Sequence, residues 1–482
     1  MANLASLLNE CASTVSWQNS DAPWETTLQG SLVFRLWHNL KDTSARIVQK
    51  NKIGSYLQLI GFAFVLILLA CLGLPQFAND KEGLAVIVLL GLAARICGAL
   101  LGGKEKYPAT AIDAIIFACL MLNVVATAAS HYPKESIHGL LKVFIYTGSY
   151  FLFVSCFGSD AGKALKRIYL ACAALILPAT MVALYGLYQY KIGVQPLATW
   201  EDPTLEVQGT RIFSTLGNPN LLAAYLLPLI PVSLSLCLSS LWLRKYLAGL
   251  ACAGISLIFI AATIFTGSRG GYIGLFAALA AFVFMIFLWL WQEKPKFRPL
   301  MITAIVFLPV VFAGLVHFVP SFGQRIASIF AGREHTSNSF RMNVWGASWR
   351  MFLDNWWFGI GPGNQTFRLA YGLYMVSGFD ALGTYCVPLE IAVETGVAGL
   401  ALSLILASAV FARAHLAFWQ EVTAETRFLI AGVTAAIVGM LAHGLFDTVF
   451  YRPQVHLIFW LLLAIIVVLA RNSSSSKSKQ TK

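Results

Sequence analysis

Apolar runs of membrane-crossing length alternate with short polar segments along almost the whole chain. A helix needs about 20 predominantly apolar residues to cross a bilayer. Such runs lie near 53–74, 83–101, 109–129, 137–157, 168–188, 218–240, 247–266, 271–291, 299–319, 387–410, 428–449 and 454–470. They predict an all-α, polytopic membrane protein of about twelve transmembrane helices. Two runs are weaker because each holds a basic residue, Arg95 in the second and Lys142 in the fourth. Both stand near a helix end, from which a long side chain can snorkel to the interface.

One polar stretch breaks the rhythm. Residues 320–386 separate the ninth and tenth runs and predict a large extramembrane loop. Inside it Met342, Trp345, Trp349, Phe352 and Trp356 recur at three- and four-residue steps. That spacing predicts an amphipathic helix from Ser339 to Asn355, capped by Ser337 or Asn338 and ended by "GIGPGN". Its tryptophans suit the headgroup layer.

The ends differ from the middle. Residues 1–50 hold no span. Leu32, Leu36, Trp37 and Leu40, with Arg35 and Lys41 beside them, suggest a helix on the membrane surface or else a disordered tail. Residues 51–470 then form the transmembrane domain, and the serine- and lysine-rich 471–482 a disordered tail. No internal repeat is visible, so an inverted-repeat transporter has no support.

Composition agrees with the pattern: 58% of the 482 residues are hydrophobic and 12% charged, with mean hydropathy +0.71. A soluble domain has about 25% charged residues. The net charge of +12 raises the question of nucleic acid. The positives lie instead in short loops on one side of the spans, as membrane insertion requires. Membrane lipids are therefore the expected partners, with no nucleic acid. Roughly 21 Lys and Arg fall on the side of the two termini and about six in the short loops opposite. The bias predicts cytoplasmic termini, an outward, periplasmic 320–386 loop and an inner (plasma) membrane location. The nine cysteines are scattered, with no CxxC or Cys/His ligand spacing, and read as buried hydrophobes.

Candidate chemistry centres on arginine. The loop holds five arginines and no lysine, which suggests forked recognition of an oxyanion. Arg269 sits in the tight turn "TGSRGGYIG" between two spans, either as an anion-binding guanidinium or as a headgroup contact. Arg341, in the first turn of the loop helix, could meet it above the membrane face and clamp a pyrophosphate, a carboxylate or bicarbonate. Arg211, just before "STLGNPN" with its Asn218 and Asn220, is a third candidate. His443 and Asp447 are spaced i, i+4 near the end of the eleventh run, either as a proton relay or as a polar pair locking helices. Glu390 and Glu394, one turn apart, are a cation or proton site or partners for the loop arginines. No HExxH, serine-centred triad or nucleotide-binding loop is present.

The order "GNPNLLAAYLLP", "TGSRGG", "FRMNVWGASWRMFLDNWWFGIGPGN", "VETGVAGL" and "HGLFDT" resembles the O-antigen ligase and polymerase superfamily. The resemblance implies about twelve spans with a large periplasmic loop between helices 9 and 10. It also implies transfer of lipid-linked glycans without metal or other cofactor. A closer one, carried by "TWEDP", "FSTLGNPNLLAAYL", "SNSFRMNVW", "GIGPGN" and "HGLFDTVFYRP", is to the cyanobacterial IctB family. That family implies bicarbonate transport and inorganic carbon accumulation. In the superfamily pattern the two essential arginines match Arg269 and Arg341. The expected histidine, nine residues before Glu394, is Tyr385. A phenol of pKa about 10 is a poor base at neutral pH but a good donor to an anion. Tyr385 is accordingly expected beside the arginines, with no histidine in reach of the same cavity.

The charge bias makes a topology prediction. In a background lacking the native cysteines, a cysteine at Ser337 should react with an impermeant reagent from outside, and cysteines at Lys163, Lys294 and Ser475 only from inside. Inner-side labelling of Ser337 would reverse the orientation.

Overall fold

The computed structural model describes residues 52–76, 81–102, 109–158, 160–195, 211–299, 336–421 and 423–480, with isolated positions between 302 and 327. The helices in chain order are α1 (Ile53–Cys71), α2 (Lys81–Leu100), α3 (Ala111–Ala129), α4 (Pro133–Phe157) and α5 (Ala161–Ile192). There follow α6 (Pro219–Leu226), α7 (Leu229–Trp242), α8 (Tyr246–Phe265) and α9 (Arg269–Glu293). The chain ends with α10 (Thr336–Asp354), α11 (Asn364–Tyr371), α12 (Val387–Gln420), α13 (Ala424–Gly444) and α14 (Pro453–Gln480). Among the described residues eleven helices are long and apolar enough to cross a membrane, α6 and α7 counting together as one. They match eleven of the predicted runs; the ninth, 299–319, lies mostly outside the described residues, as does the 1–50 tail.

Local chemistry sets the helix ends. Pro133 opens α4, where its missing N–H costs nothing. Asp160 caps α5 by accepting from the Lys163 N–H at 2.8 Å. Thr110 and Asp113 form a capping box on α3. The second oxygen of Asp113 accepts from the Tyr150 hydroxyl at 2.6 Å, tying α3 to α4.

The bundle has a centre and a rim. The apolar window is 83% buried in α6–α7, 83% in α13 and 89% in α14, against 28% in α8 and α9. A helix apolar all round is buried in protein, whereas the rim helices turn an apolar face to lipid. α13 packs most extensively on α9 and next on α7. The α9–α13 crossing is backbone to backbone. A Cβ on Gly274 would stand 2.8 Å from the Gly439 carbonyl oxygen, and one on Gly439 2.9 Å from that of Gly274. In lipid, apolar side chains gain nothing by meeting, so close packing of small residues holds helices together.

The two basic residues expected to snorkel turn inward instead. Arg95 is 7% exposed and donates to the carbonyls of Gln58, at 3.2 Å, and Ser155. α2 turns this position towards α1 and α4, so carbonyls replace water. Lys142 faces a cavity described below.

The loop is tied to the bundle where α12 breaks. Gly396 has φ 70°, a left-handed value inside an otherwise continuous helix. The break frees the carbonyls of Val393 and Glu394, which accept from Ile360 and Gly361 N–H at 2.9 and 3.0 Å. The Val397 N–H donates in turn to the Trp356 carbonyl at 2.8 Å. Around this seam Val344, Ala347 and Met351 of α10 bury against Ile360, Phe367 and Tyr371, forming a second, smaller core with Val393 of α12. α10 agrees with the predicted loop helix. α11 has no predicted counterpart; eight residues show too little period, and it forms by burying Phe367, Ala370 and Tyr371.

Gly396→Ala should therefore destabilise the fold. Besides the left-handed φ, its Cβ would lie 2.1 Å from the Trp357 carbonyl oxygen. A loss of about 1–3 kcal/mol or more is expected, read as a lower thermal midpoint of the purified protein. An unchanged midpoint would contradict the seam.

Candidate functional site

Three helix N-termini meet at one place. α6 is capped by Asn218, whose side chain accepts from Asn220 and Leu221 N–H at 2.8 and 3.2 Å. α9 is capped by Ser268, which accepts from Gly271 N–H at 3.2 Å. The first turn of α9 touches α6, since a Cβ on Gly271 would be 2.8 Å from the Ala223 Cβ. α10 arrives from the loop, and Arg269 Nη1 donates to Asn338 Oδ1 at 2.8 Å. Helix N-termini present orphan N–H groups and partial positive charge, a setting that favours anions.

The arginines extend that field. Arg211 Nε donates to the Thr266 carbonyl at 2.8 Å and its Nη2 to Asn220 Oδ1 at 3.1 Å, bracing the "TGSRGG" turn against α6. Arg341 stands one turn beyond Asn338 on α10. Its Nη1 donates to Ser337 Oγ at 3.1 Å and its buried Nε has no hydrogen-bond partner. Asn338 is a residue that motif reading missed. Its signal was its place three positions ahead of Arg341, on the same helical face.

Tyr385 lies beside Arg341. Its ring meets Phe340 edge-on at 5.6 Å. Burial first, and then the Asp447 carboxylate, raise the phenol above its ordinary range, while the Arg341 guanidinium pulls it down. The phenol is thus protonated at neutral pH, a donor rather than a base. Its φ of 55° is left-handed for a residue with a bulky side chain, a conformation the surroundings must enforce.

Two sequence expectations need correction. A histidine does reach this region: His443 is 1% exposed and packs on Gly270, the residue after Arg269. The His443–Asp447 hydrogen bond does not form. α13 ends at Gly444, so the i, i+4 register is lost before Asp447. Asp447 Oδ1 accepts instead from Thr448 N–H at 2.8 Å, and neither ring nitrogen of His443 has a partner.

The two glutamates occupy different ground. Among the described residues neither Glu390 nor Glu394 pairs with an arginine. Glu394 Oε1 accepts from Gly363 N–H at 2.8 Å, holding the "GIGPGN" turn. Both line a cavity of about 320 Å³ between α3, α4, α12 and α14, with Asn123, Lys142 and His456 on its other walls. The Lys142 ammonium stands 5.4 Å from the centroid of the Tyr451 ring. No group of three or more metal-ligating side chains occurs among the described residues.

Residues 254–404 match the O-antigen ligase family, Wzy_C. This is an integral membrane protein similar, over that stretch, to O-antigen ligases. No curated protein matches the chain. The matched stretch runs from within α8 to within α12. It contains Arg269, Asn338, Arg341, Tyr385 and both glutamates, and leaves Arg211, Asn218, Asn220, His443 and Asp447 outside.

The Gly363 contact yields a test. Glu394→Ala removes the acceptor of a backbone N–H and should cost about 1–3 kcal/mol. Glu394→Gln keeps an oxygen at that point and should retain most of the stability. An alanine variant as stable as the parent in thermal unfolding would show that the contact does not hold the turn.

Proposed function

We propose that Arg269 and Arg341 share one oxyanion site, which takes the diphosphate of a lipid-linked glycan. On this reading the protein is an O-antigen ligase-like glycosyltransferase of the plasma membrane with the site on its outer face. The observation that carries the reading is the Arg269–Asn338 hydrogen bond. It joins the first turn of α9 to the first turn of α10, one turn from Arg341. Two guanidiniums above converging helix N-termini suit a diphosphate, because forked donors match its oxygens and the dipoles add favourable charge. In the transfer step an acceptor hydroxyl attacks the anomeric carbon, the carbon–phosphate oxygen bond breaks, and the hydroxyl's proton passes to the departing diphosphate. The electron pair leaves with the diphosphate, where preorganised positive charge is worth most. The family match over 254–404 supports this reading, as does the position of the site at the ends of spans.

A second reading is that the same arginines engage bicarbonate in inorganic carbon accumulation. Tyr385 is the observation in its favour: a protonated phenol stands where the superfamily pattern expects histidine, which suits holding an anion more than activating a hydroxyl.

Purified protein in liposomes separates the two. Turnover of a polyprenyl-diphosphate-linked oligosaccharide without bicarbonate flux supports transfer; flux without turnover supports transport. Arg341→Lys should lower whichever activity is present by at least about tenfold, since a point charge loses the forked contact, worth about 1.5–3 kcal/mol. An Arg341→Lys protein of full activity would remove Arg341 from the site.

A further inference from the structure

His443 is a buried imidazole at the start of α9 whose two ring nitrogens have no hydrogen-bond partner. The ring is 1% exposed, and neither nitrogen donates or accepts a hydrogen bond. Imidazole carries at least one N–H in every protonation state of the neutral or charged ring. Inside a membrane protein such a group is normally partnered, because no water is at hand. The slot that holds the ring exists because α9 has glycine at two successive turns. A Cβ on Gly270 would lie 2.7 Å from His443 Cδ2 and 3.1 Å from Nε2, and one on Gly274 would lie 3.0 Å from His443 Cβ.

The Cδ2–Nε2 edge therefore faces the first turn of α9, one residue beyond Arg269. The charges acting on the ring come from Arg341 on α10 and Asp447 beyond α13. A leucine would fill the same slot and leave no polar atom unpaired. The imidazole is costly there unless something arriving at the arginines completes it.

We propose that His443 is a further binding residue of the oxyanion site, with its Nε2–H donated to an oxygen of the anion that Arg269 and Arg341 hold. The inference rests on the arginine site proposed above and adds to it a donor from the buried side. It adds a ring N–H to the two guanidiniums. An anion reaching the floor of the site then meets a hydrogen-bond donor in a region of low dielectric, where such a bond is strong.

The test uses the full chain in nanodiscs, with inorganic pyrophosphate as the probe. Its Kd and the ligand-free thermal midpoint are measured for the parent, His443→Leu, His443→Gln and Arg269→Gln. His443→Leu should keep or raise the midpoint, since it removes unpaired polar atoms, yet weaken pyrophosphate about tenfold. His443→Gln, which retains an N–H at a similar reach, should restore most of the affinity. If the leucine variant does not fold, His443→Phe carries the same comparison.

Pyrophosphate binding by the leucine variant equal to the parent's overturns the inference. So does a leucine and a glutamine variant that lose stability and affinity together, which marks packing alone. Undiminished binding by Arg269→Gln, or no binding by the parent, overturns the arginine site itself, a result distinct from the failure of His443.

Discussion

The break in α12 at Gly396 is the constraint on which the loop depends. Within a bilayer every backbone polar group must find a partner inside the protein, so a broken helix is tolerated only where another segment supplies the missing bonds. Here the supplier is the turn after α10, through Ile360, Gly361 and Trp356. Glu394 adds a side-chain bond to Gly363 of the same turn. A loop that would otherwise be free to move over the membrane face is pinned by backbone at the level of the span. α10 follows from that anchor, because its buried residues Val344, Ala347 and Met351 pack on the turn and on Val393.

Pinning α10 brings its first turn over the start of α9, where Asn338 meets Arg269. Charge then separates across the seam. Arginines and helix N-termini gather on one side, and Glu390 and Glu394 face the cavity with Lys142 on the other. The spacing of the glutamates invited pairing with the loop arginines, but α12 turns them towards α3 and α4 instead. Arg341 Nε, on the arginine side, has no hydrogen-bond partner.

The substitution of Tyr385 for the expected histidine bears differently on the two functional readings once His443 is taken into account. Tyr385 faces Arg341 from the loop side as a phenol that keeps its proton. His443 approaches from below, through the glycines of α9. The two rings reach the same neighbourhood from separate elements, so the residue at the motif position does not by itself decide what chemistry the site can perform.

Much of the architecture follows from the sequence alone. Span length and apolarity are properties of contiguous residues, and the bilayer's thickness converts them directly into helices; eleven of the predicted runs appear as such. The loop helix was legible for the same reason, through the period of Met342, Trp345, Trp349 and Phe352. Arg269 and Arg341 stood out because a charge at a membrane edge is expensive and their motifs are local. What the tertiary structure decided were relations between distant residues. Arg95 is buried against two carbonyls because of how α2 faces α1 and α4, which its nearness to a helix end does not reveal. Asp447 leaves the register of His443 because α13 stops at Gly444. His443 packs on the start of α9 because Gly270 and Gly274, far away in sequence, lack the side chains that would exclude it. No periodicity encodes those contacts; they arise when separate helices close on one another, and the absence of a Cβ on one is legible only when the other is in place.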